Sequence, residues 1–301
     1  MAKKIVVLGV TGHIGSQLAK QLVAKGVAVT GVTRNASKAK EQGLEGVDLQ
    51  EGDITDIPFL TSVLQGKDAA FVMIPPNLAA PDNLAYQQQV GEAIVEAVKG
   101  SGIRNLVNLS SFGADLESGT GPIVGVHRQE QRLNQLQDVN IVHLRPAYFF
   151  ENTLAGIPMI QGMNINGSVL RGDVAFPAIA TADIAAVAAQ YLTTLDFTGH
   201  KVHELLGPRD ITMQEITKVL GQKLGKPELP YIQFSEDDGL RGMQQAGMSQ
   251  SMASLYIEFM RGINEGKFYN DLNRTPETIT PTTFEDFVAS LPLGSDSASS
   301  A

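Results

Sequence analysis

The chain predicts an α/β fold built on a doubly wound parallel sheet. Three observations carry that expectation. Short β-branched apolar runs alternate with segments whose apolar residues recur at helical spacing, from the first residues to about residue 146. Most of these runs are apolar throughout, the pattern of strands covered on both faces by helices. A glycine-punctuated turn joins the first run to the first helical segment. The 301 residues are 43% apolar and 18% charged, so the chain can bury a sizeable core in one large domain or two modest ones.

The first strand is Lys4-Ile5-Val6-Val7-Leu8. It runs straight into Gly9-Val10-Thr11-Gly12-His13-Ile14-Gly15, and a helix follows from Ser16 to a stop at Gly26. Glycines lack Cβ, so the backbone can bend tightly and a pyrophosphate can approach closely. The helix behind the turn aims unpaired N–H groups and a partial positive charge at that anion. Gly9, Gly12 and Gly15 are therefore expected to hold a dinucleotide, with Thr11, His13 and Ile14 in the same turn. The spacing is GxxGxxG rather than GxGxxG. The alternative is a turn that only lets a helix pack on a strand.

Residues 27–33 read as the second strand. Dinucleotide folds often place an acid here, about 20 residues past the glycines, to hold the ribose hydroxyls of NAD. This chain has Thr33 and Arg34, with Lys38 one helical turn further on. A carboxylate would repel a 2′-phosphate, whereas an arginine can pair with it bidentately. NADP(H) is therefore the expected cofactor. Residues 47–54 form a third strand, at whose end Asp53 and Ile54 are placed to frame the adenine. Asp53 alternatively caps the turn 55–58. The apolar run from Asp68 to Pro76 reads as a fourth strand that sets Ile74 and Pro75 beside the cofactor.

Leu84, Val90, Ile94, Val95 and Val98 make one face of a helix over 83–99. The fifth strand, from Asn105, ends in Ser110 and Ser111. These serines either bond a substrate carbonyl or the nicotinamide ribose, or satisfy the strand's end. Residues 139–146 form a sixth strand. Residues 1–152 are thus expected as the dinucleotide-binding domain. Residues 153–293 are expected mainly as a substrate lobe, with a helix near 181 and a strand ending near 206 returning to the sheet. Thr181 or Asp183 stands near that helix's start. Thr212 and Glu215 form a capping box for another helix. The helical region from Asp237 to Asn264 carries methionines and aromatics that serve either as core or as an adaptable pocket. The Ser/Ala-rich residues 294–301 are expected to be disordered.

Composition excludes several classes. Without cysteine there is no disulfide, thiolate metal site or cysteine nucleophile. That fits a reducing compartment, and a cytoplasmic location is expected. No apolar run reaches about 18 residues, so no membrane span is expected. A net charge of -9 argues against a broad nucleic-acid-binding face. The five histidines show no close metal-ligand spacing, so no metal is expected. Neither Ser110 nor Ser111 sits in a G-x-S-x-G elbow, which argues against a hydrolase.

Dehydrogenases with this kind of sheet commonly use Tyr-x-x-x-Lys, the lysine lowering the tyrosine's pKa for proton exchange with substrate. None of the six tyrosines is followed by lysine at that spacing. By position His127 stands near the tyrosine and Gln131 near the lysine. His127, with Ser111, is the candidate catalytic group. It either donates a proton near neutral pH or bonds a backbone group at a helix start. The absence narrows the chemistry. Reduction of a quinone, or of another electron-poor acceptor, needs a positioned acid least, because its product anion is already delocalised.

Together these residues resemble the NmrA-like group of atypical short-chain dehydrogenase/reductases. The resemblance rests on Gly9-x-x-Gly12-x-x-Gly15 with Thr33-Arg34, on Leu144-Arg145-Pro146-Ala147-Tyr148-Phe149-Phe150-Glu151-Asn152, and on Thr181-Ala182-Asp183-Ile184-Ala185. It implies a Rossmann-like domain with a small substrate lobe and bound NADP(H). Members of the group reduce quinones, dyes or plant phenolic ethers. Others turn over nothing and act as NADP-sensing regulators that bind a partner protein. The plant reductases rely on a lysine around position 127, where this chain has no lysine and Arg128 is the nearest cation. The bacterial quinone reductases carry a histidine in this region. An NADPH-dependent reductase of a small acceptor such as a quinone is therefore expected, with an NADP(H) sensor as the alternative.

Overall fold

Strand and helix alternate through the first half: β1 (Lys4–Leu8), α1 (His13–Ala24), β2 (Ala28–Thr33), α2 (Ala36–Lys40), β3 (Val47–Glu51), α3 (Ile57–Leu64), β4 (Ala69–Val72), α4 (Asn83–Ser101), β5 (Asn105–Leu109), α5 (Ile123–Leu133) and β6 (Asn140–Pro146). The second half begins with β7 (Tyr148–Phe149), a 3₁₀ helix (Phe150–Gly156), α6 (Ile157–Met163), β8 (Asn166–Ser168) and β9 (Phe176–Ile179). It continues with α7 (Thr181–Thr194), β10 (His200–Leu205), β11 (Asp210–Ile211), α8 (Met213–Lys223) and β12 (Tyr231–Gln233). The helices α9 (Glu236–Gln245), α10 (Gln250–Asn264) and α11 (Phe284–Ser290) follow. This computed structural model describes residues 2–269 and 271–293, apart from the side chains of Lys38 and Lys40. The expected disorder of 294–301 lies outside the described residues.

Seven strands form one sheet in the order β10-β6-β5-β4-β1-β2-β3, and every neighbouring pair is parallel. This is the Rossmann-like, doubly wound arrangement. The chain starts in the middle, winds outward to β3, then returns to β4 and winds the other way. The direction reverses between β1 and β4, so the connections after them leave for opposite faces of the sheet and open a crevice.

Period-two alternation splits β1 between two cores. Ile5 and Val7 are buried with Leu18 and Leu22 of α1 and Ile184 and Ala188 of α7. Val6 and Leu8 are buried with Leu60 of α3 and Val90 and Ile94 of α4. A third core, rich in phenylalanine, fills the lobe beside the sheet's carboxyl edge. There Phe150 meets Phe284 edge-on at 5.2 Å, and Phe259 stacks on Phe268 at 5.6 Å. Two small sheets, β11-β9-β7 and β12-β8, support this lobe.

Three local details rest on contacts that only the structure shows. Pro146 stays in the sheet. It keeps its place opposite Leu205, and the Ala147 N–H still donates to Leu205 O at 2.9 Å. The chain leaves one residue later, where Tyr148 pairs with Ala178. The helical region after Asp237 is two helices, α9 and α10. They are broken at Gly247 (φ 92°), and Ser249 caps α10 by accepting from the Met252 N–H. Neither Thr181 nor Asp183 caps its own helix by a local side-chain bond. The Glu151 carboxylate reaches across instead and accepts from the Thr181 N–H at 3.1 Å and its hydroxyl at 2.5 Å. Asp183 ties down a later loop, accepting from the Thr282 N–H at 3.0 Å and its hydroxyl at 2.8 Å.

Candidate active site

The turn between β1 and α1 is held by contacts that only glycine allows. Gly9 sits at φ 67°, a conformation L side chains rarely adopt. Its carbonyl accepts from the Gly12 N–H at 2.9 Å. A Cβ on Gly15 would lie 2.1 Å from that same carbonyl oxygen. The helix start is therefore pressed onto the turn. Gly12 caps α1 without a side-chain bond, and no acid stands in the first turn. The first helical N–H groups remain available for an anion.

These N–H groups face a cavity of about 370 Å³, where Gly12, His13 and Ile14 form one wall. Leu109, Ser111, Tyr148 and Phe149 lie on other sides, and Tyr256 and Phe259 of α10 close it from the lobe. The lining is mostly apolar, with hydroxyls at Ser111, Tyr148, Thr181 and Tyr256, the Asn152 amide and the His13 imidazole. Burial raises the pKa of both phenols, so each stays a neutral O–H donor. Thr11 is half-buried in the same turn and is not among the lining residues. A dinucleotide pyrophosphate fits this cradle by shape and polarity.

At the end of β2, Thr33 is buried and its hydroxyl accepts from the Asn35 N–H at 3.1 Å. That turn leaves Arg34 exposed. Asp53 folds onto its own turn, accepting from the Thr55 N–H and hydroxyl, both at 2.8 Å. Those bonds, with Arg34 nearby, hold its carboxyl below the usual carboxylate range. Ile54 is half-buried against the α3–α4 core. Tyr86 of α4 faces the same group: burial raises its pKa, and Arg34 and Asp53 both act on it. Thr33, Arg34, Asp53 and Tyr86 thus gather at one rim. Lys38 lies on α2, and its side chain is outside the described residues.

Ser110 lines a second cavity beside the first. It is buried, and its hydroxyl donates to Glu130 of α5. Glu130 is 2% exposed and takes a bidentate grip from Arg145, at 3.0 and 2.6 Å. Arg145 of the Leu-Arg-Pro segment is thereby committed to a buried ion pair.

Of the two readings open for His127, the structure shows the bond to a backbone group, and Ile74 and Pro75 lie beside the main cavity. His127 bonds the Ala114 carbonyl through Nδ1 at 2.8 Å and is not among the residues lining the cavity. Its assumed catalytic position is therefore not supported by contact with the cleft. Ile74 and Pro75 line that second, smaller cavity, while Met73 and Pro76 line both. The sequence does not point to Tyr86, and it offers Tyr256 only as one of the aromatics of the 237–264 region, because both come from helices distant in the chain. Among the described residues, no group of three or more His, Cys, Asp or Glu could hold a metal ion. No described helix is long and apolar enough to cross a membrane.

A family model described as NAD(P)H-binding matches residues 9–194, from the glycine turn to the end of α7. The chain belongs to the NAD(P)H-binding family. This NAD(P)H-binding chain is 26% identical over 286 residues to quinone oxidoreductase 2 of Escherichia coli (strain K12), covering 93% of itself and 95% of that relative. It is 28% identical over 262 residues to an NAD(P)H azoreductase of Xenophilus azovorans, covering 84% and 85%. Among solved structures, an NADPH-dependent quinone oxidoreductase of Escherichia coli in complex with NADPH superposes with a TM-score of 0.78 at 24% identity, over 95% of this chain and 98% of that one. The structure gives each of the three motifs a physical role. The glycines form the turn, Arg145 and Glu151 hold Glu130 and α7, and Asp183 anchors the 282 loop.

Proposed function

We propose that this chain is an NADPH-dependent reductase that transfers hydride to a quinone or a similarly electron-poor small molecule. The observation that carries the reading is the cavity itself. A bare helix N-terminus opens onto a mostly apolar chamber whose described lining offers hydroxyls, the Asn152 amide and the His13 imidazole but no lysine, aspartate or glutamate. Such a site can hold a dinucleotide by its phosphates and a flat neutral ring by apolar contact. It supplies little acid strength, which an acceptor with a delocalised product anion does not need. The relatives named quinone oxidoreductase and azoreductase support the acceptor class.

The roles follow from position. Gly9, Gly12 and Gly15 bring backbone N–H groups to the pyrophosphate. Arg34 pairs with the 2′-phosphate, and Tyr86 with Ile54 offers the adenine an apolar edge. When bound, the reduced nicotinamide supplies a hydride. Leu109 and Phe149 exclude water around the transfer. Ser111 and Tyr256 donate hydrogen bonds to the acceptor oxygen as charge develops there. One hydride and one proton, the proton coming from solvent, convert a quinone to its hydroquinone. His127 has no part in this scheme.

The test is steady-state oxidation of NADPH against quinones and azo dyes, with NADH alongside. Fast loss with NADPH and one acceptor class is the expected result. Tight NADPH binding without turnover on any acceptor would replace this reading with the sensor. The sensor is favoured by one observation, the withdrawal of His127 from the cleft to the Ala114 carbonyl.

A further inference from the structure

A third cavity, of about 320 Å³, lies within the lobe. It meets the cofactor cavity at Tyr148 and Asn152, which line both. The Tyr148 ring is fixed there by Phe176, edge-on at 5.3 Å, and by Phe259, stacked at 6.4 Å. Asn152 beside it is exposed rather than packed into the wall.

Four of the chain's nine methionines line this cavity: Met159 of α6, Met213 of α8, Met243 of α9 and Met260 of α10. Met213 is buried, and the other three are only half-buried. Apart from Asn152 at the edge, the polar side chains of the lining are committed to the protein. Thr153 donates to the Phe150 carbonyl at 2.7 Å, and the Asn166 amide donates to the Thr217 hydroxyl at 2.8 Å. Ser168 bonds the Tyr231 hydroxyl at 2.8 Å. Asp238, the one charged residue of the described lining, accepts from Ser235 and Arg241.

The outer wall is α9, which is ten residues long and buries none of them. Its start is pinned to α10 by the exposed Glu236–Arg261 pair, at 2.8 and 2.5 Å. At Gly239 it presses onto Val169, which a Cβ would meet at 2.2 Å. The apolar side of α9, Leu240 and Met243, is only half covered. Apolar walls whose polar groups are engaged offer a water few partners. The matching occupant is a neutral apolar group, and unbranched, polarisable methionine side chains can mould themselves to it.

We propose that the lobe cavity binds an apolar tail, alkyl or isoprenoid, carried on the ring of the acceptor. The inference rests on the reductase reading for the ring and adds the class of quinone: a tailed, lipophilic one rather than a bare ring. The ring lies by Phe149 in the cofactor cavity. The tail passes between Tyr148 and Asn152 and lies along Met159, Met243 and Met260.

The experiment is calorimetric binding to the NADP⁺-saturated full chain, with naphthoquinones that carry a methyl, a propyl or a pentyl chain. In the wild type each added methylene should tighten binding by about twofold to fourfold. Met243→Trp fills the cavity from α9 and should bring the pentyl compound to within about threefold of the methyl one. Met243→Gln keeps the shape, makes that wall polar and should cut the gain from methyl to pentyl by about threefold or more. In both variants the methyl compound and NADPH should keep their affinities to within about twofold. Affinities in the wild type that do not rise with chain length would overturn the proposal. So would a gain that both substitutions leave intact, since the tail would then lie outside the lobe. An NADPH affinity that falls in both variants would assign the cavity to the cofactor and overturn it as well. The readout is binding, so the two readings fail separately. The expected pattern without NADPH oxidation sinks the reductase and keeps the site, whereas turnover without the pattern does the reverse.

Discussion

At the level of a single side chain, the proposal assigns the choice of cofactor to Arg34. It stands exposed past the end of β2, where its guanidinium can fork around a phosphate, and Asp53 beside it is occupied by Thr55. Arg34→Ala should weaken NADPH binding by about tenfold or more and leave NADH binding within about twofold; fluorescence titration of both cofactors checks this. Arg145 and Glu130 make a different kind of claim. Both are largely buried, so Arg145→Leu leaves a carboxylate without its cation and should cost about 3–5 kcal/mol in urea unfolding. Loss of cofactor affinity at full stability would contradict that structural role. His143 lies between Asn108 and Asn134, and burial pushes its pKa down to about 4. A depressed histidine pKa means that the unfolded chain binds its proton first. This contribution to stability is therefore fully present above about pH 6.5 and is lost as pH falls from there towards 4, by about 3 kcal/mol in all. Proton NMR of the His143 ring across that window, with urea unfolding at each pH, is the check.

At the scale of the element, what was legible in the sequence was what is local. The glycine turn could be read because its constraint acts between Gly9 and Gly15, six residues apart on one loop. The strands could be read because β-branched runs covered on both faces have few other uses. The helix starts were less legible. The cap of α7 is a carboxylate from Glu151, thirty residues upstream, and no local pattern announces it. Glu151→Gln should weaken α7 docking by about 1 kcal/mol, read as faster hydrogen exchange over 181–194. His127 was placed by its position along α5, but the turn of that helix carries its ring to the Ala114 carbonyl. Tyr86 and Tyr256 reach the site from α4 and α10, and only the packing of those helices reveals them.

For the whole molecule, function is set by where the winding reverses. The connections after β1 and β4 leave for opposite faces of the sheet, the turn after β1 fills the gap with N–H groups, and the lobe brings Tyr148, Tyr256 and Phe259 over it. The cavity exists only because three separate stretches of chain converge, so its walls could not be read from any one of them. The dinucleotide half was legible because phosphate recognition uses backbone and a fixed turn. The acceptor half was not, since its walls are drawn from α4, α5 and α10 and from the segment after β6. The most direct test mixes NADPH-loaded protein with a naphthoquinone in a single turnover and follows the nicotinamide absorbance. The account predicts that one NADPH is consumed per hydroquinone formed, and that deuterium at the transferred position of the nicotinamide slows the decay. NADPH that stays bound and unoxidised in the presence of every quinone tried would contradict it.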